Sequence, residues 1–85
     1  MEIGQIVLSA SGRDRGTWLV VVGSAGGRVL VADGHRRRLE SPKAKNPIHL
    51  RPTKTHLNMS EVTGNRKLRE LLQNLAAVPN MGEIN

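Results

Sequence analysis

The spacing of β-rich runs in the first fifty residues restricts the fold more than any other feature of the sequence. Gly4–Ser9 (GQIVLS), Thr17–Val22 (TWLVVV) and Arg28–Ala32 (RVLVA) are each five or six residues long, with glycines in both gaps between them. Runs this short, rich in valine and isoleucine and bounded by turn residues, read as strands rather than helices. Trp18 to Val22 is apolar throughout, which predicts a strand buried on both faces. Asp33-Gly34 after the third run is a strong two-residue hairpin signal, so Arg36–Glu40 is expected as the return strand and Ile48–Arg51 as a short last one. Between these two, residues 41–47 contain Pro42 and Pro47, which remove amide donors and fix φ. That stretch is expected to be an irregular basic loop. Five short strands in so few residues suit a small, strongly bent sheet or barrel, where closure protects the edges.

The last third of the chain has a different period. Leu68, Leu71, Leu72, Leu75 and Ala76 fall at i, i+3, i+4, i+7 and i+8, the stripe of an amphipathic helix. Asn65 is a suitable N-cap and Val78-Pro79 a stop. The expected organisation is therefore a mainly β domain over 1–54, a linker over 55–64, a helix over 65–78 and a flexible tail over 79–85. The leucine stripe packs either on the sheet or on a partner.

Composition excludes several classes. The 85 residues leave room for one small domain. With no cysteine there is no disulfide scaffold, thiol chemistry or zinc ribbon, and a reducing, cytoplasmic setting is expected. The longest apolar run, Trp18–Val22, is far below the roughly 20 residues that span a bilayer, so no membrane partner is expected. No basic and then apolar leader opens the sequence, so no secretory signal is expected. The chain carries 13 Lys and Arg against 7 Asp and Glu, a formal net charge of +6. That excess lies in one block. Residues 13–54 hold Arg13, Arg15, Arg28, Arg36, Arg37, Arg38, Lys43, Lys45, Arg51 and Lys54 against Asp14, Asp33 and Glu40, a net of +7, whereas residues 55–85 are neutral. A basic run is often only a solvated surface, but one with so few acids favours a face for an acidic partner, nucleic acid first.

Within the block, Gly12-Arg13-Asp14-Arg15-Gly16 is the sharpest local feature. Two glycines bracket a three-residue tip, which allows a tight reversal with positive φ and projects Arg13 and Arg15 to solvent. Asp14 is expected to bond its own backbone in the turn. The segment lacks the G-x-x-x-x-G-K-[ST] spacing of a phosphate-cradling nucleotide loop. If Arg36-Arg37-Arg38 lies on a strand with Leu39 facing the core, Arg36 and Arg38 point outward, and Arg37 sits at a rim or in an ion pair. The histidines, His35, His49 and His56, have no cysteine to assist and no i,i+4 pairing on a helix, so no metal is expected. The carboxylates are scattered, with no paired acid and base, and no enzymatic activity or cofactor is expected. Trp18 is the one aromatic and is expected in the core. Readers of single strands stack successive bases on several aromatics. This chain is therefore expected to contact the phosphates of folded or duplex RNA, with little sequence readout.

The segment Gly4–Gly23, GQIVLSASGRDRGTWLVVVG, resembles the KOW motif, in which two short strands are joined by a glycine-framed basic turn. Gly12 and Gly16 stand at its glycine positions. Asp33-Gly34, Arg36-Arg37-Arg38 and Asn46-Pro47-Ile48-His49-Leu50-Arg51-Pro52-Thr53 look like the arginine-rich strand and the N-x-x-H-L-x-P-T ending of a ribosomal family, the L-fourteen-e, L-six-e and L-twenty-seven-e proteins. The likeness covers roughly residues 3 to 53 and is strongest to short stand-alone bacterial relatives. It implies a small SH3-like β-barrel that binds structured RNA, usually ribosomal RNA, without a cofactor. By carry-over, Arg13, Arg15, Arg36, Arg37, Arg38, His49 and Arg51 would face RNA, with Lys43, Lys45 and Lys54 adding charge. The long carboxy-terminal extensions of the ribosomal proteins are not expected here. Ribosome association or a part in ribosome assembly is the expected setting. A protein-interaction module of the transcription or translation machinery and a non-specific duplex-DNA binder are the competing readings.

Overall fold

A computed structural model describes residues 1–76. Strands β1 (Gln5–Ser9), β2 (Trp18–Ala25), β3 (Arg28–Ala32), β4 (Lys43–Lys45) and β5 (Leu50–His56) form one antiparallel sheet, and helix α1 (Asn65–Ala76) follows. The order across the sheet is β4-β3-β2-β1-β5. β1, β2 and β3 stand on the three β-rich runs, with β2 extending to Ala25.

Successive side chains of a strand face opposite sides, and here both sides are apolar. Val7, Leu19, Val21, Val29, Val31 and Leu50 make one cluster; Ile6, Val20 and Ala32 belong to the other. Leu19, Val20 and Val21 are all buried, as the unbroken apolar run predicts. Helix α1 covers the second face. Leu68 and Leu72 join the Ile6 cluster, with Leu75 packed against it. Each such buried side chain contributes roughly 1.5–3 kcal/mol. The leucine stripe is thus used within the chain.

Among the described residues no helix covers the first face, which is enclosed by bending of the sheet itself. The register shifts between Gln5 and Val7 and between Val21 and Gly23, irregularities that strengthen twist. Lys45, on the edge strand β4, reaches the end of β1, where its Nζ donates to Ser9 Oγ at 2.8 Å and to the Ser11 carbonyl at 3.0 Å. Ala10 N donates to the His49 carbonyl at 2.8 Å, drawing in the segment before β5. No ladder joins β4 to β5 among the described residues, so the sheet is bent but not closed by pairing.

Four expectations are corrected. The return strand at Arg36–Glu40 does not form, because the side chain of Asp33 takes over the backbone there. Its Oδ1 accepts from the amides of His35 (2.8 Å) and Arg37 (2.9 Å), while the Arg37 carbonyl accepts from the amides of Asp33 and Gly34. Donors committed to this turn cannot enter a ladder. The partner of β3 is instead β4, at Lys43–Lys45, inside the stretch expected to be irregular. Its two prolines, Pro42 and Pro47, lie outside the ladder, one on each side. The last strand is also displaced. Pro47–His49 is a 3-10 turn whose leading Asn46 side chain accepts from Ile48 N, and β5 begins at Leu50. β5 then runs past residue 54, and Pro52 is tolerated because an edge strand bonds on one side only. The expected linker belongs to the fold: Leu57, Met59 and Val62 pack against the cluster under α1. Residues 77–78 of the expected helix, the stop at Val78-Pro79 and the tail 79–85 lie outside the described residues, as does the side-chain placement expected for Ala76.

Candidate nucleic-acid interface

Gly12 and Gly16 adopt φ of 81° and 84°, so the β1–β2 turn does need residues without a Cβ at both ends. Arg13 and Arg15 are exposed at its tip. Asp14 between them is not: its side chain is 5% exposed. As expected, its carboxylate bonds its own backbone, but it also reaches across the fold. Oδ1 accepts from Lys45 Nζ at 2.8 Å and from Ser9 Oγ at 3.0 Å, and Oδ2 lies 3.7 Å from Arg37 Nε. Burial raises the Asp14 pKa, but the bonds from Lys45 and Ser9 and the Lys45 charge outweigh it and hold the carboxyl below its usual value. Lys45 is itself buried, its side chain 7% exposed, so the expectation that it adds to an RNA-facing surface is corrected. A four-carbon side chain on an edge strand would ordinarily snorkel to water. Here the inward-turned Asp14 draws it in.

The 33–42 loop carries the triple arginine. Arg36 and Arg38 are exposed, while Arg37 is half-buried and turned toward Asp14. This is the division expected from strand alternation, reached without a strand: the Asp33-centred turn aims Arg37 inward. Gly34, with φ 78°, brings the loop against α1, where a Cβ would run into the carbonyl of Asn65 and the amide of Arg69. Asn65 therefore serves the loop instead of capping its own helix. Its Oδ1 accepts from Leu39 N at 2.7 Å and its Nδ2 donates to Glu40 Oε1 at 2.6 Å. The Asn65 bond, Glu40's own backbone and the Arg38 side chain at 3.1 Å hold the Glu40 carboxyl at about 2.

Strand direction gathers most of the remaining candidates. The β1–β2 turn, the loop after β3 and the start of β5 lie at one end of the sheet, since Ser9 pairs with Leu50 and Val20 with Ala32. Arg13, Arg15, Arg36, Arg38, Lys43, His49 and Arg51 belong to that end, all exposed. Arg37 joins it through Asp14. Lys54 lies further along β5, where the strand runs away from this end, and Arg28 stands at the far hairpin, opposite Ala25. The histidines are separate. His56 Nε2 lies 2.9 Å from Glu2 Oε1, His35 Nδ1 lies 3.5 Å from Arg69 Nη1, and His49 stands in the 3-10 turn.

Sequence reasoning missed Ser9 and Asp14 as the residues that set this end of the sheet. The available signal was a serine at an inward position of an otherwise apolar strand, which calls for a polar partner. Compared with known proteins, the chain matches no family model, and no curated protein matches it.

Proposed function

We propose that this chain is a non-catalytic RNA-binding protein that contacts the phosphate backbone of structured RNA through the end of the sheet bearing Arg13, Arg15, Arg36, Arg38 and Arg51. One observation carries the reading. Of the three acids in the basic block, Asp14 and Asp33 are turned inward, leaving Glu40 as the exposed one. Apart from Arg38, which pairs with Glu40 at 3.1 Å, the exposed cations there consequently face water with little to offset them. Five arginines, each a planar and permanently charged fork, suit phosphate oxygens. The residue pattern over Gly4–Gly23 and Asn46–Thr53 supports reading the bent sheet as a KOW-type, SH3-like barrel and the RNA as ribosomal. In that reading the protein works in the cytoplasm, on the ribosome or in its assembly, and needs no cofactor.

The competing reading, a module that offers its helix to a protein partner, loses its main support because Leu68 and Leu72 are packed on the chain's own sheet. The test is the double variant Arg36→Glu with Arg38→Glu. Affinity for a structured ribosomal RNA fragment, followed by anisotropy at fixed salt, is expected to fall at least tenfold while circular dichroism stays unchanged. Undiminished binding in the folded variant refutes this interface. Competition by duplex DNA of equal charge, if as effective as RNA, transfers the interface to DNA.

A further inference from the structure

A cavity of about 300 Å³ opens between the two arginine-bearing loops and helix α1. Trp18 and Leu72 form its apolar part; Thr17, His35, Arg69 and Gln73 bring polar groups to it, and Asp33, whose Oδ1 is taken up by the amides of His35 and Arg37, completes the lining. Trp18 is only partly buried, although it packs against the helix-side cluster. Arg69, His35 and Gln73 are exposed. We propose that this groove takes one unpaired nucleobase of the bound RNA, stacked against Trp18 and met at its edge by Thr17, Gln73 and Arg69. The inference rests on the RNA-binding reading and adds to it the kind of RNA feature selected.

Three observations select a nucleobase as occupant. The groove offers an indole and a guanidinium, both groups on which bases stack. The Gln73 amide and the Thr17 hydroxyl each both donate and accept, matching the mixed edge of a base. Most specifically, the groove is bounded by Gly16 and His35, the chain neighbours of Arg15 and Arg36. One residue step is about 3.8 Å, so a strand whose phosphates rest on those arginines passes over the mouth. A paired base would first have to leave its stack, which costs unstacking energy, whereas a bulged base is already free to enter. The lone aromatic is thus sufficient for one base and insufficient for a run of them.

Trp18 is the only tryptophan and there is no tyrosine, so intrinsic fluorescence reports this groove alone. The probes are an RNA hairpin with a single bulged adenosine and the same hairpin fully paired. The bulged hairpin is expected to bind at least fivefold more tightly and to change Trp18 emission in step with anisotropy. Stacking of one base is worth roughly fivefold to a hundredfold. Because Trp18→Leu also disturbs packing, the informative variants are Arg69→Ala and Gln73→Ala, at exposed positions. Each is expected to reduce the preference for the bulge toward unity. Equal binding of both hairpins with unchanged emission overturns the groove assignment and leaves the phosphate interface standing. If neither hairpin binds, the RNA-binding reading falls, and this one with it.

Discussion

Asp14 shows how one side chain decides the role of two others. Its carboxylate stands between Lys45 and Arg37, so Lys45 is withdrawn from any partner and Arg37 is turned partly inward. A buried pair adds little net stability once desolvation is counted, but removing one member leaves the other uncompensated. Asp14→Ala is therefore expected to cost about 3–5 kcal/mol, and adding Lys45→Met to recover more than half of that loss. Urea denaturation of the wild type and these two variants checks this, and a double variant no better than Asp14→Ala refutes the pairing. A second residue-scale prediction concerns acid. The folded-state pKa values of Asp14 and Glu40 are both lowered, so each contributes stability above its ordinary range and loses it as pH falls through the folded value. For Glu40 that window runs from 4.5 down to about 2. The unfolding midpoint is expected to decline through this range, and less steeply in Glu40→Gln. Added salt should shrink the difference, because Glu40 and Arg38 are exposed.

At the scale of elements, the loop after β3 and helix α1 hold each other. Gly34 has a positive φ and no room beside the helix backbone, whereas Gly26, also at positive φ, has nothing within 4 Å of an added Cβ. Gly26→Ala carries only the left-handed backbone cost, about 1–2 kcal/mol. Gly34→Ala must also push the helix away, and is expected to lower the melting temperature by at least twice as much. Equal losses in the two variants would show that the contact with α1 contributes nothing. The same loop explains why a strand read as Arg36–Glu40 did not appear. Local alternation there is compatible with a strand, yet the Asp33 carboxylate competes for the amides that a ladder needs. Such competition depends on side-chain geometry and leaves no periodic trace in the sequence.

For the molecule as a whole, the consequence of the charge arrangement is a salt dependence. If the five exposed arginines of the interface each neutralise one phosphate, log K should fall with log salt at a slope of about −3.5 to −4.5. The Arg36→Glu with Arg38→Glu variant should show a clearly shallower slope. A wild-type slope near zero would remove phosphate contact as the basis of binding. The sequence by itself determined β1, β2 and β3, the burial of β2 on both faces, the amphipathic helix and the concentration of positive charge before residue 55. Those properties follow from periodicity and composition, which are local and additive. Tertiary structure alone decided that β4 sits between the prolines, that Asn65 fastens a loop instead of its helix, and that Lys45 is buried while Arg36 and Arg38 stay in water. The reason is physical. A side chain's partner is set by what the bent sheet brings within about 3 Å of it, and Ser9, Asp14 and Lys45 meet only after β4 has been carried round to the end of β1.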